Sequence, residues 1–460
     1  MNNIAMNKEV YGISNSLLER IRNAIDMNLK TQIRKIVPNL HPADQADLIE
    51  ILDHDERKKL VEILKDQLDA EAILELSEDV RNEIIKSYSN EDLANIFGKL
   101  DVDDIVEILQ GIEDEETVQD VINKIKSKST RELIEESLSY PEGSVGRLMA
   151  PLEFAAVPKD WTVEEFIKYS QKNKTLTGKF SEIVVVDDYY RPVSTISAGQ
   201  ILIAPQSKKI SEVMRDPDDL KILRADMTQE DAANLFIKYG LRSAPVVNDN
   251  GVLVGMIYLF DIIDVVEKES TEDLMLMGNV SEDDMHSTIF STIKKRLPWL
   301  FMTILTTSIG TFIIDAFGDT VEKMVILAAL LPLLAGVGGV CSSQTLTVMI
   351  RNLAGHNITK SNYRKVIFKE FCTGLLNGVV LGIFSLIAIF LWQKNLQLAI
   401  IFGCTVAIVL SLSSTIASIV PITIDKLGLD PAAASSSFTT TTIDTLSFLT
   451  LLKLASIFLM

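Results

Sequence analysis

The sequence predicts a multi-domain chain: an all-α superhelical N-terminal domain, a tandem pair of α/β modules, and a five-helix α transmembrane domain. Three observations predict it. Charge is divided sharply along the 460 residues: nine Lys/Arg and seven Asp/Glu lie from Leu297 onward, leaving 35 basic and 56 acidic residues before it, a balance of −21. Short amphipathic helical patterns fill the first part of the acidic region, and β-rich runs the second. After them come nearly charge-free runs long enough to cross a bilayer. The expected boundaries are 1–140 for the helical domain, 141–266 for the α/β pair, 267–296 for a connecting helix and 297–460 for the membrane domain.

In the first segment, similar helix starts recur at Pro42, Asn90, Val102 and Glu115. Each carries acidic or Asn residues, which suit a helix N-terminus, followed by apolar residues at helical spacing. The recurrence is irregular, and it predicts a curved stack of short helices. Beyond Ser144 the pattern changes. Residues 161–171 read as a helix and Glu182–Asp187 as a strand; residues 229–240 then read as a helix, 244–248 and 251–257 as strands, and 259–266 as a helix. This duplication predicts two packed α/β modules. The stretch 267–295 is polar, helix-compatible and carries the acids Glu267, Glu269, Glu272 and Asp273; it links the modules to the membrane.

The charge-free runs cover 297–314, 324–350, 371–393 and 395–424, with a fifth at about 431–459 broken only by Asp444 and Lys453. Pro332 and Pro421 are bending points in the second and fourth. Lys294, Lys295 and Arg296 precede the first run, and Arg351, Lys360, Arg364, Lys365 and Lys369 fill the loop after the second. Positive-inside bias then places the N-terminal part in the cytoplasm of a multi-pass cell-membrane protein, with the C-terminus outside. The N-terminus lacks the apolar core of a signal peptide, which agrees.

The acid surplus argues against a nucleic-acid partner, whose phosphates it would repel. It suits a surface that meets cations, although a solvated acidic face is the commoner meaning. Cys341, Cys372 and Cys404 sit in apolar runs without a CxxC pair, so neither a disulfide framework nor a zinc site is expected. His41, His54, His286 and His356 show no ligand spacing. Thr177-Gly178-Lys179 lacks the remainder of a phosphate-binding loop, and no zinc-protease or nucleophile-elbow motif occurs, so an enzyme is not expected.

Asp444 is the most informative residue. An ionisable group at membrane depth costs roughly 2.5–3.5 kcal/mol near a helix centre and usually faces water or a partner. Thr439–Thr442 precede it with hydroxyl oxygens. The alternative is an acid held neutral, or bonded to those threonines, within a tight bundle. Gly336, Gly338 and Gly339 in the second run allow either close approach to an ion or close helix packing.

Taken together, these residues resemble the MgtE family of magnesium channels. The 40–48 stretch and 139–149 resemble its N-terminal domain and the junction to paired CBS modules; Thr271-Glu272-Asp273-Leu274 and Lys295–Trp299 resemble its connecting helix and first-span entry. Leu331–Gly339, Gln344–Arg351, and Gly428–Ala432 with Phe438, Thr440, Thr441 and Asp444 resemble its second and fifth spans. The resemblance implies a homodimer in lipid with a divalent-cation pore on its axis. Asp444, Asp430, Thr440, Thr441, Gly338 and Gly339 are then the pore candidates. It also implies cytosolic carboxylates that bind Mg2+ and hold the pore closed. Candidates are Glu230, Asp261, Asp264, Glu269, Glu272 and Asp273, with Asp103, Asp104 and Glu107 in the N-terminal domain.

CBS modules also bind adenine nucleotides, and Asp261 matches a ribose-holding position. Tyr258, however, replaces the usual hydroxyl residue before it, and the first module has no equivalent acid. Other departures cluster in the pore: the family's Gly-Gly-Asn-Ala-Gly reads Gly338-Gly339-Val340-Cys341-Ser342, its Ser-Gly-Pro-Phe reads Ser435-Ser436-Ser437-Phe438, and a glycine after the aspartate reads Ser447. An acidic position in the second module reads Thr228, and another near Gly240 is missing. The departures leave two alternatives: transport of Co2+ or Mn2+, or a membrane metal or nucleotide sensor that transports nothing.

Overall fold

Alternating short helices and caps organise the first part of the chain, seen here in a computed structural model that describes residues 12–112, 114–151, 156–172, 182–278, 280, 289–355 and 357–459. The N-terminus, Thr177–Lys179, His286 and His356, discussed above, lie outside the described residues. The side chains of Ser435 and Ser437 do too. Two compact units result, Met1–Glu269 and Ser270–Met460.

Helices of the first unit are set by side-chain caps. Asp53 and Glu56 form a reciprocal capping box, and Ser89, Asp114 and Ser127 each accept a backbone N–H of the next turn. Such caps contribute on the order of 1 kcal/mol each. The apolar faces converge on one core containing Ile33, Leu60, Ile73, Phe97, Ile108 and Ile122. Arg57 is buried in it, with its guanidinium donating to the Ile49 and Leu52 carbonyls (3.0 and 3.1 Å) and pairing with Glu83 at 2.5 Å.

Two small sheets follow. Strands β1 (Ala150–Pro151), β5 (Leu223–Arg224), β6 (Ser243–Val247) and β7 (Leu253–Tyr258) form one, in the order β1-β7-β6-β5. Strands β2 (Ala156–Pro158), β3 (Glu182–Val186) and β4 (Pro192–Ser197) form the other, in the order β2-β3-β4. In each, a parallel pair (β2 with β3, β5 with β6) is followed by an antiparallel one (β3 with β4, β6 with β7). The predicted duplication is therefore structural. Val184 and Val186 of one sheet share a core with Leu253 and Met256 of the other.

The helix after β7 runs from Leu259 to Met277 without a break, across the expected boundary at 266. No glycine or proline interrupts it until Gly278. Among the described residues, the first part of the connecting segment continues the last helix of the module, and its final residues open the Ile289–Ala316 helix.

Five helices among the described residues are long and apolar enough to cross a membrane: Thr292–Ala316, Ile326–Ala354, Tyr363–Gln393, Leu396–Lys426 and Phe438–Phe458. The fourth is a single helix through Pro421. The third and fourth spans are joined by Lys394 and Asn395 alone, Lys394 taking a left-handed φ of 53° and Asn395 capping the fourth. They pack through glycine: a Cβ on Gly378 would lie 2.8 Å from the Ala407 carbonyl oxygen, and one on Gly382 2.5 Å from that of Gly403.

Candidate ion pathway and acidic sites

The helix that carries the fifth span starts at Pro431, whose missing N–H costs nothing in the first turn, and Asp430 caps it by accepting the Ala432 N–H at 2.7 Å. One ridge of this helix is buried: Thr439, Ile443, Ser447, Leu451 and Ala455, four residues apart. Asp444 lies beside that ridge and is half-buried. Thr440 and Thr441 precede it by four and three residues, so both share its face. Thr440 is exposed and donates to the Ser436 carbonyl at 3.0 Å, leaving its oxygen lone pairs outward.

The second-span glycines divide by role. A Cβ on Gly338 would meet Ile443 at 3.1 Å and Val409 at 3.2 Å, so Gly338 allows the second, fourth and fifth spans to close up. Gly336 and Gly339 face open space. Of the residues that depart from the family pattern, Cys341 is buried and hydrogen-bonds with Ser414 at 3.2 Å, and Ser342 donates to the Gly339 carbonyl at 2.8 Å. Of the second-span departures Val340, Cys341 and Ser342, Val340 is the exposed one, so it changes the open face. Ser447 lies at 0% exposure and, with Ser413, lines a narrow cleft between the fourth and fifth spans.

Glu370 was not among the sequence candidates. It is buried on the third span, one turn before Gly374 and on the face of Gly374, Gly378 and Gly382. The signal was its four-residue spacing from those glycines.

Two acidic groupings assemble from the regulatory candidates. In the first unit, Asp104 on the Val102–Gln110 helix lies within charge range of Asp261, and Glu107 within range of Asp264; Asp103 stands in the first turn of the same helix. Glu107 accepts from Lys268 at 2.8 Å and lies 3.6 Å from Arg81. Asp261 caps the long helix by accepting the Tyr258 N–H at 2.8 Å. Burial pushes its carboxyl up to about 6 against the pull of that N–H, and the charges of Asp264 and Asp104 push the same way. Asp264 is also raised, by burial and by Glu107 and Glu267, with Lys268 opposing. Glu230 stands in the first turn of the Gln229–Tyr239 helix, capped by Thr228, so Thr228 has a structural duty where an acid was expected.

In the second unit, Leu276 and Met277 pack against Leu346, Ile350, Ala417 and Ala432. This seats Asp273 near Asp430. Burial, then Asp430 and Glu272, raise the Asp273 carboxyl, and Arg351 opposes them. Among the described residues, no three His, Cys, Asp or Glu side chains converge tightly enough to ligate a metal directly.

Between the modules is a cleft lined by Glu182, Thr195, Arg215, Asp216, Lys221 and Ser243. Glu182 is buried there against Arg215 at 2.5 Å and accepts from Ser243 at 3.3 Å. Asp261, engaged in its cap, is not part of that lining.

Fold and site define a class: a five-span membrane protein whose soluble part is an acidic helical domain followed by a CBS pair. Family models match in that order, the MgtE intracellular N domain over residues 40–143, the CBS domain over 210–268, and the MgtE divalent cation transporter over 331–454. The chain belongs to the MgtE family. The magnesium transporter MgtE of Thermus thermophilus is 27% identical, covering 93% of this chain and 95% of that one. That of Bacillus subtilis is 26% identical, over 93% and 94%. The cytosolic domain of the Mg2+ channel MgtE, solved in complex with ATP, is 28% identical, covers 54% of this chain and all of that one, and has a TM-score of 0.49.

Proposed function

We propose that this chain conducts Mg2+ across the cell membrane as a homodimer and closes when cytosolic Mg2+ is plentiful. The observation that carries the reading is Asp444 with Thr440 and Thr441 on one face of a membrane-spanning helix. Mg2+ is hard, small and slow to dehydrate, so it favours oxygen ligands and keeps several waters. Two Asp444 carboxylates across a two-fold axis would repel one another in a pore of low dielectric, and a divalent cation relieves both. Thr440, Thr441 and the Gly339 backbone hold its waters, Gly338 sets the helix spacing, and Asp430 lies at the entry. A largely hydrated ion passes.

Gating follows from the acidic groupings. Asp103, Asp104, Glu107, Asp261 and Asp264, with Glu230 on the same module as Asp261, form one sensor; Glu272 and Asp273, with Asp430, form another, and Glu269 is a further candidate on the same helix. No direct ligand triad is needed, because hydrated Mg2+ bridges carboxylates through water. In this reading residues 1–140 and 141–266 sense, 267–296 connect and 297–460 conduct, with the N-terminal part cytoplasmic and the C-terminus outside. An adenine nucleotide between the CBS modules would tune the sensor. The chain performs no bond chemistry.

Asp444→Ala is expected to abolish Mg2+ uptake in a strain deficient in magnesium transport while the protein still inserts. Wild-type uptake by the mutant would remove Asp444 from the mechanism. Val340 supports a second reading, transport of Co2+ or Mn2+, since an apolar residue stands where the family has a polar pore group. Flux of Mg2+, Mn2+, Co2+ and Ca2+ into liposomes holding the purified protein separates the two.

A further inference from the structure

We propose that the start of the third span is a binding site for anionic phospholipid. Lys360, Arg364, Lys365 and Lys369 are all exposed there, and none has an ion-pair partner among the described residues. Beside the patch, Lys426 sits over the Tyr363 ring at 4.6 Å, and Tyr363 donates to Asp425 at 3.4 Å. Arg364 and Phe368 are four residues apart, as are Lys365 and Lys369, so the cations and the exposed Phe368 form one patch. The buried face of the same helix, Glu370, Gly374 and Gly378, turns to the fourth span. The patch therefore points out of the bundle.

Its occupant follows from what adjoins it. An apolar stripe continues from Phe368 through Leu376, Val380, Phe384, Ile387 and Leu391, all exposed. Exposed Trp392 marks the far end, as interfacial tryptophans do. The apolar part between the basic patch and Trp392 is about 33 Å long at 1.5 Å per residue, close to the hydrocarbon thickness of roughly 30 Å. The cations thus stand at headgroup level above a path for acyl chains. The helix N-terminus adds to their field: its cap, Asn362, makes no side-chain cap bond, and no acid occupies the first turn. A soluble anion would match the cations but leave the stripe uncovered; a lipid with an anionic headgroup matches both.

Full-length protein, extracted from membranes with equal phosphatidylglycerol and phosphatidylcholine, tests this by the lipid it retains. Phosphatidylglycerol is expected to be enriched at least about tenfold, since the cations of the patch favour an anionic headgroup. The enrichment should vanish in R364Q/K365Q/K369Q and persist in K323Q. No enrichment in the wild type, or undiminished enrichment in the triple variant, overturns the proposal. Because loss of cations can disturb insertion, Phe368→Trp supplies a second measurement with the patch intact. Its added fluorescence should be quenched more by brominated phosphatidylglycerol than by brominated phosphatidylcholine. Equal quenching, or none because a second copy or the chain's own acidic part covers the face, overturns it as well.

Discussion

Gly338 and Gly339 are adjacent, yet they meet different surroundings. A methyl group on Gly338 would press on Ile443 and Val409 at 3.1 and 3.2 Å, and overpacking of this kind costs about 1–3 kcal/mol. Gly338→Ala is therefore expected to lower the thermal midpoint of the purified protein, whereas Gly339→Ala, with open space beside it, leaves it near wild type. Equal effects would mean that the spans are not packed as described. The sequence alone left these glycines ambiguous, since packing and pore roles need the same residue type. Thr228 is more legible: a threonine three residues before Asp231 at a helix start is a cap by local geometry.

At the scale of elements, the Leu259–Met277 helix shows how burial stores electrostatic tension. Below about pH 4, Asp261 is protonated in both folded and unfolded chains. As pH rises from there to about 6, the unfolded chain releases the proton and the folded one keeps it, so stability falls. Above that range both are ionised and a penalty on the order of 3 kcal/mol at most persists. Asp261→Asn keeps an oxygen for the Tyr258 N–H and should raise the melting temperature at pH 7, flattening the decline between pH 4 and 6. Added Mg2+ should recover part of the same stability in the wild type and less in the mutant, read by thermal unfolding at fixed ionic strength. The individual helix and its acids were visible as periodicity and composition. That Asp104 and Asp261 approach one another was not, because nothing local encodes contact between elements so distant in the chain. Glu370 escaped for a related reason: it sits at the edge of a charge-free run, and only packing of the third span on the fourth shows it to be inside.

For the whole molecule, the division of charge governs behaviour. The five spans were legible because long charge-free runs have few other meanings in water. The duplicated modules were legible because strand and helix patterns repeat. A soluble part at −21 repels itself, and cations that bind the compact form better shift the population towards it. Millimolar Mg2+ is expected to protect the 250–277 region from limited proteolysis several-fold, while Na+ at matched ionic strength protects little. Identical protection by both salts would reduce the acidic groupings to a solvated surface.

The two-residue link between the third and fourth spans bears on how the protein is made. Lys394 and Asn395 cannot reach back across a bilayer, so the two helices must be delivered to the same far side together, carrying one lysine with them. Until the fourth arrives, Gly374, Gly378 and Gly382 of the third offer lipid only bare backbone and Glu370 has no cover. The two-residue link therefore makes the third and fourth spans a hairpin that enters the membrane as one unit.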